Sequence, residues 1–249
     1  MTEERTPYGQ ADIVRFSDED ASAQLLEQSI NSLWDVVNQL TRFRRTVREN
    51  YRVTIFGSAR LKRETGAYED VKRLAAALTT MGCDIVTGGG PGLMQAANEG
   101  AMSAGPLDPG RSVGIRVDLP FEQETNPFVS QAYEHRTFFS RLHHFMIVSD
   151  AFVVTPGGIG SLLELSLVWQ LLQVRKLYNT PLLLVGKMWA DLVDWGKGHM
   201  LAEGAELASP ADFRIPRCVD RIDDAIEHLR DHREKWLAAQ AEARRQAAR

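Results

Sequence analysis

The residues best suited to chemistry stand together in Pro156-Gly157-Gly158-Ile159-Gly160-Ser161-Leu162-Leu163-Glu164. Glycines at 157, 158 and 160 carry no Cβ, so the backbone can turn sharply there and come close to a ligand. If a helix starts near Ser161, several N–H groups without helical partners point out of the turn, and such a terminus binds phosphate. Glu164 is then the acidic side chain of the first turn, too near the phosphate position to be a further phosphate ligand. A carboxylate beside an anion site suits chemistry on a phosphorylated substrate. Ser161-Leu-Leu-Glu164 also fits the S-x-x-E capping box, in which Ser and Glu satisfy the first amides of a helix. Both readings stand; the glycines favour the first, because a cap needs no such turn.

A second glycine-rich block, Thr87-Gly-Gly-Gly-Pro-Gly-Leu-Met-Gln-Ala-Ala-Asn-Glu-Gly-Ala101, opens another helix. It lacks the Gly-Lys-Ser/Thr ending of a Walker loop and the third glycine of the dinucleotide fingerprint, so neither ATP hydrolysis nor NAD binding is indicated. Gly57-Ser58-Ala59 follows a strand, Arg52 to Phe56. Ligands of open α/β sheets sit beyond the carboxyl ends of strands, which makes this turn a candidate nucleotide contact, although an ordinary strand–helix connection has the same pattern.

Pro156 to Glu164 resembles the PGGxGTxxE signature of the LOG (Lonely-guy) family of nucleoside 5′-monophosphate phosphoribohydrolases, whose members are often labelled "lysine decarboxylase". Thr87 to Ala101 is similar to a second family block. Leu119-Pro-Phe-Glu-Gln123 with Asn126-Pro127, and Phe138-Phe-Ser-Arg141, resemble the segments between them, in the family's order. The resemblance runs from about Arg52 to about Leu229. It implies hydrolysis of the N-glycosidic bond of a nucleotide such as AMP or a cytokinin riboside monophosphate, in a homodimer, without cofactor or metal. Arg141 matches the family's catalytic arginine and Glu164 its carboxylate, while Glu122 aligns with a substrate-binding acid. Nucleotide contacts are expected at Gly57, Ser58, Gly89, Gly90, Met94, Pro156, Gly157, Gly158, Gly160, Ser161 and Gln170.

These roles make chemical sense. Breaking an N-glycosidic bond develops oxocarbenium character on the ribose, which a carboxylate stabilises while it orients or deprotonates the attacking water. An arginine is permanently charged and cannot serve as a general acid, so Arg141 is expected to position phosphate or Glu164. Two residues depart from the family pattern. Ser161 replaces the usual Thr and keeps the hydroxyl. Leu142 replaces the usual Lys and removes a charge, for which His143 or His144 could substitute.

The elements that must position these residues alternate between strand and helix. Strands are expected at Arg52–Phe56, Cys83–Thr87, Ser112–Val117, Ala151–Thr155, Pro181–Val185 and Phe213–Val219. Helices are expected at Tyr68–Met81, from the Gly92 turn to Ala104, at Thr137–Val148, from Ser161 to Leu177, around Trp189–Trp195 with Gly196 and Gly198 interrupting it, and after Asp220. Asp118 to Pro127, carrying Glu122, reads as irregular. On helix Thr137–Val148, Arg141 and His144 share one face, and Leu142, Phe145 and Met146 point inward. The fold class is α/β, a doubly wound, Rossmann-like, mostly parallel sheet in a single domain. Residues 1–50 form a polar arm and an amphipathic helix (Leu25 to Leu40) ending in a basic stretch. Residues 51–230 form the nucleotide-binding domain and 231–249 a frayed helical tail.

The whole chain bounds its partners. A length of 249 residues with 44% hydrophobic content can bury a sizeable core, and a net charge of −4 gives no global pull toward nucleic acid or anionic membrane. Cys83 and Cys218 read as small buried hydrophobes in a reducing compartment. No apolar leader or membrane span is read, and the expected location is cytoplasmic. Three other readings compete with the hydrolase. One is a nucleotide or molybdenum-cofactor carrier of the same fold. Another is a DNA-processing binder, disfavoured by the acidic balance. The last is a pyridoxal-phosphate decarboxylase, disfavoured because no lysine lies within the glycine-rich blocks.

Overall fold

Apolar runs too continuous for a half-exposed sheet dictate the architecture, since strands buried on both faces read as near-unbroken Val, Ile, Leu and Phe. The computed structural model describes residues 50–104, 111–117, 125–204 and 206–247. The N-terminal arm and helix expected before residue 50, the Gly105–Gly110 loop and the segment bearing Glu122 lie outside the described residues.

Among the described residues, seven strands form one fully parallel sheet: β1 (Tyr51–Phe56), β2 (Cys83–Thr87), β3 (Ser112–Val117), β4 (Gln131–His135), β5 (Ala151–Val154), β6 (Leu182–Val185) and β7 (Pro216–Val219). Their order across the sheet is β4-β3-β2-β1-β5-β6-β7. The chain winds outward from β1 in one direction and from β5 in the other, which leaves a switch point between β1 and β5. Crevices for ligands open at such points.

Helices cover both faces. Those following β1 and β2, α1 (Gly66–Thr80) and α2 (Leu93–Ala104), pack on one face with the last helix, α6 (Ile222–Ala247). The other face carries α3 (Phe138–Val148), α4 (Ile159–Gln173) and α5 (Lys187–Met200). Strand alternation divides the core between them: Ala151 and Val153 face α1, α2 and α6, whereas Phe152 and Val154 face α3 to α5. This is a Rossmann-like α/β domain. None of the described helices is long and apolar enough to cross a membrane.

Several elements differ from the sequence expectation. Strand β4 was not anticipated, because Gln131-Ala-Tyr-Glu-His135 is polar; it is an edge strand whose side chains are mostly exposed. Helix α5 runs uninterrupted through Gly196 and Gly198. A Cβ at Gly196 would come within 2.8 Å of the Phe213 ring, so that glycine serves close packing and is not a helix break. Phe213 itself belongs to a 3-10 turn (Asp212–Arg214), and only Pro216–Val219 is strand. Cys83 is buried as expected, but Cys218 is exposed on the outer strand β7. The expected frayed tail continues α6 to Ala247.

Candidate active site

Three backbone segments meet beyond the carboxyl ends of β1, β2 and β5, and hydrogen bonds tie them together. Ser58 N donates to Pro156 O at 3.0 Å, and Leu93 N donates to Ser58 O at 2.8 Å. The approach demands glycine. Gly92 has φ +67°, and a Cβ there would lie 2.3 Å from Ser58 O; a Cβ at Gly57 would lie 2.3 Å from Thr155 Oγ1. Gly57, Ser58, Pro156 and Gly157 therefore share one junction at the switch point.

A buried polar network holds the loop from Gly88 to Gly92. Asn126 Nδ2 lies within 3.1 Å of Gly89 O, Gly90 O and Asn98 Oδ1, and Asn126 N donates to Gly89 O. Thr87 Oγ1 donates to Asn98 Oδ1 and accepts from Gly89 N. Asn98 Nδ2 continues the chain to Ser112 Oγ at 2.9 Å. Sequence reasoning did not assign Asn98 and Asn126 this supporting role. The available signal was an Asn inside an apolar helix face, which a buried partner usually explains.

Helix α4 begins two residues earlier than expected. Gly158 is its N-cap, with no side-chain cap hydrogen bond, and Leu162 N makes the first helical bond to Gly158 O. Ser161 is then the third helical residue and Glu164 the sixth, so they are not the two ends of a capping box, and Glu164 lies beyond the first turn. Ser161 is buried, with its Oγ beneath Gly157, where a Cβ would come within 2.2 Å of it. A Cβ at Gly158 or Gly160 would meet nothing within 4 Å. The helix start, with its unpartnered amides, faces open space.

Arg141 and Glu164 meet from different helices. Arg141, in the first turns of α3, is buried; its Nε donates to Ile115 O at 2.9 Å, just past Gly114, the last residue of β3 in register with β2. Nη1 lies 3.7 Å from Glu164 Oε1. Gly88 makes room for this guanidinium: a Cβ there would come within 2.5 Å of Arg141 Nη2 and 2.7 Å of Met94 Sδ. Met94 thus packs beside Arg141. Burial pushes the Glu164 carboxyl up to about 7, and the Arg141 charge opposes part of that rise.

Two expected contributors stand elsewhere. Gln170 lies six positions after Glu164 on α4, which turns it to another face; it is exposed and donates to Gln173 Oε1. His143 and His144 do not replace the charge missing at Leu142. His144 Nδ1 is hydrogen-bonded to His135 Nε2 on β4 at 2.8 Å, and burial lowers the pKa of both His143 and His144, the latter to about 4. Leu142 itself is buried. Among the described residues, no group of three or more His, Cys, Asp or Glu side chains is arranged to hold a metal ion.

The family model described as "Possible lysine decarboxylase" matches residues 94–229. No curated protein matches the chain. Among solved structures, the molybdenum cofactor carrier protein of Chlamydomonas reinhardtii superposes with a TM-score of 0.55 at 18% identity, covering 74% of this chain and 98% of that one. The molybdenum cofactor binding protein of Rippkaea orientalis gives a TM-score of 0.55 at 16% identity, over 74% and 97%. The structural-genomics protein TM1055 gives 0.53 at 19% identity, over 73% and 99%. At these identities the likeness establishes the shared fold.

Proposed function

This chain belongs to the LOG family, whose model is described as possible lysine decarboxylase, and on that premise we propose that it hydrolyses the N-glycosidic bond of a nucleoside 5′-monophosphate. The observation that carries the reading is Glu164, a buried carboxyl pushed up to about 7 and 3.7 Å from the Arg141 guanidinium. A general base works best with a pKa near the operating pH. The 5′-phosphate would rest on the first amides of α4, over Gly158 and Gly160, where the protein leaves open space. Glu164 would take a proton from water as its oxygen attacks C1′. The C1′–N bond breaks with its electron pair leaving on the base, which takes up a proton from solvent, and ribose 5-phosphate remains. Arg141 lends positive charge to the carboxylate and attracts the phosphate. Glu122 is assigned to ribose or base from the family pattern alone.

Ile159 and Leu163, 83% and 48% exposed on α4, favour a homodimer that covers them, which light scattering on the eluting protein would test. The alternative function is that of the carrier proteins sharing the fold: nucleotide or molybdenum cofactor held without turnover. Release of adenine from AMP and from adenosine separates these readings. Fast release from AMP alone is expected. Equal kcat/KM for the two would remove the phosphate role of Gly157 to Ser161. Tight AMP binding without any release would favour the carrier.

A further inference from the structure

Strand β4 ends on His135, whose ring touches α3 twice: Nδ1 lies 3.0 Å from Ser140 Oγ and Nε2 lies 2.8 Å from His144 Nδ1. Ser140 directly precedes Arg141, and His144 follows it by three positions. The two contacts therefore bracket the turn that carries the arginine. The His144 ring also meets Tyr133 of β4 edge-on, at 4.8 Å between centroids.

A hydrogen-bonded chain thus runs from His144 through His135 and Ser140 to Thr137 at the α3 N-cap, whose carbonyl lies 3.1 Å and whose Oγ1 lies 3.0 Å from Ser140 Oγ.

Only Arg136 and Thr137 separate β4 from α3, and β4 is mostly exposed; this turn is also tied to the sheet by the Arg141 Nε–H bond to Ile115 O and by the burial of Leu142. The Nε bond anchors one edge of the guanidinium, while at 3.7 Å the Glu164 contact is too long to fix its Nη side. Resting on the catalytic reading of Arg141, we propose that His135 and His144 are positioning residues that set where the Arg141 guanidinium lies relative to Glu164.

Two substitutions test this in the full-length protein. His144→Leu keeps an apolar side chain against Tyr133 and removes the ring nitrogen; His144→Asn places an amide, which can donate or accept, near the position of Nδ1. The readouts are solvent exchange of the Arg141 Nε–H signal in ¹⁵N NMR, and kcat and KM for AMP. His144→Leu should speed the exchange and lower kcat by about tenfold or more, with KM within about twofold, since displacement of a catalytic group acts mainly on the transition state. His144→Asn should restore both to within about threefold of wild type. Wild-type exchange and kcat in His144→Leu would overturn the proposal, as would equal impairment of both variants. Should His144→Leu not fold, the wild-type ¹⁵N imidazole spectrum decides: a hydrogen bond between the His135 and His144 ring nitrogens at neutral pH is expected, and its absence overturns the proposal. A wild type that releases no adenine removes the hydrolase reading alone, because Nε–H exchange still reports on Arg141.

Discussion

Glu164 is buried, so its carboxylate has lost most of the water that would stabilise its charge, and burial pushes it up to about 7 even with Arg141 beside it. The folded value lies above the ordinary 4.5, so the folded chain holds this proton more tightly than the unfolded chain. The Glu164 contribution to stability must then fall as pH rises from about 4.5 to about 7, and level off above. Glu164→Gln has no such titration, so its stability relative to wild type should climb across that window in urea unfolding, by at most about 1.4 kcal/mol per pH unit. No cap is lost, because Gly158 caps α4. Base release should fall by on the order of a hundredfold in Glu164→Gln, and in wild type should rise as pH climbs through about 7. Normal turnover by the Gln variant would end the catalytic assignment. Arg141→Lys keeps a charge but loses the Nε donor to Ile115 O and the planar fork. Its kcat should drop by about tenfold or more; activity within about twofold of wild type would leave Arg141 no part in the chemistry.

Elements matter here through what they leave at the sheet edge. Loop Gly88–Gly92 has no regular structure to satisfy its carbonyls, and Asn126 does so from the segment before β4. Asn126→Ala would leave Gly89 O and Gly90 O with fewer partners and Asn98 exposed to a cavity, at a cost of roughly 1–3 kcal/mol. The loop also shapes the space around Arg141 through Gly88, so AMP turnover should fall together with the urea midpoint. A stability loss with full activity would confine Asn126 to a structural role. Helix α4 contributes differently: its start, capped by Gly158 without a side-chain hydrogen bond, faces open space at Gly158 and Gly160, while its next turn buries Glu164 and Leu165.

At the scale of the molecule, the two halves of the winding are joined across β1 and β5, and among the described residues the α1–α2 face is completed by α6. Ile222, Ala225, Ile226 and Leu229 enter that core. Farther along α6, His232 Nδ1 lies 2.6 Å from Tyr51 OH and the Trp236 ring meets Tyr51 edge-on at 5.5 Å. Tyr51→Phe should leave that nitrogen unsatisfied and cost about 1–3 kcal/mol in urea unfolding, with AMP turnover unchanged because the contact lies at the opposite end of the sheet from the site. An unchanged midpoint would mean that α6 docks by apolar contact alone.

The amino-acid sequence determined most of the sheet, because runs such as Ala151–Val154 and Leu182–Val185 are apolar enough to demand burial on both faces. It also determined the two glycine-rich turns, since Gly92 at φ +67° tolerates no Cβ. Tertiary structure decided what local pattern leaves open. Ser161 to Glu164 matches a capping box letter for letter, and only the true helix start at Ile159 shows that the pattern is not used as one. Strand β4 is polar and owes its pairing to β3 beside it, which local propensity does not record. Arg141 carries the charge of a surface residue, yet the end of β2–β3 pairing offers it Ile115 O and burial. His144 looked like a spare cation until His135 was brought to 2.8 Å, a contact between a strand end and a helix that spacing along the chain does not specify. Local pattern sets what a residue can do; the partners that decide whether it does so come from distant parts of the chain.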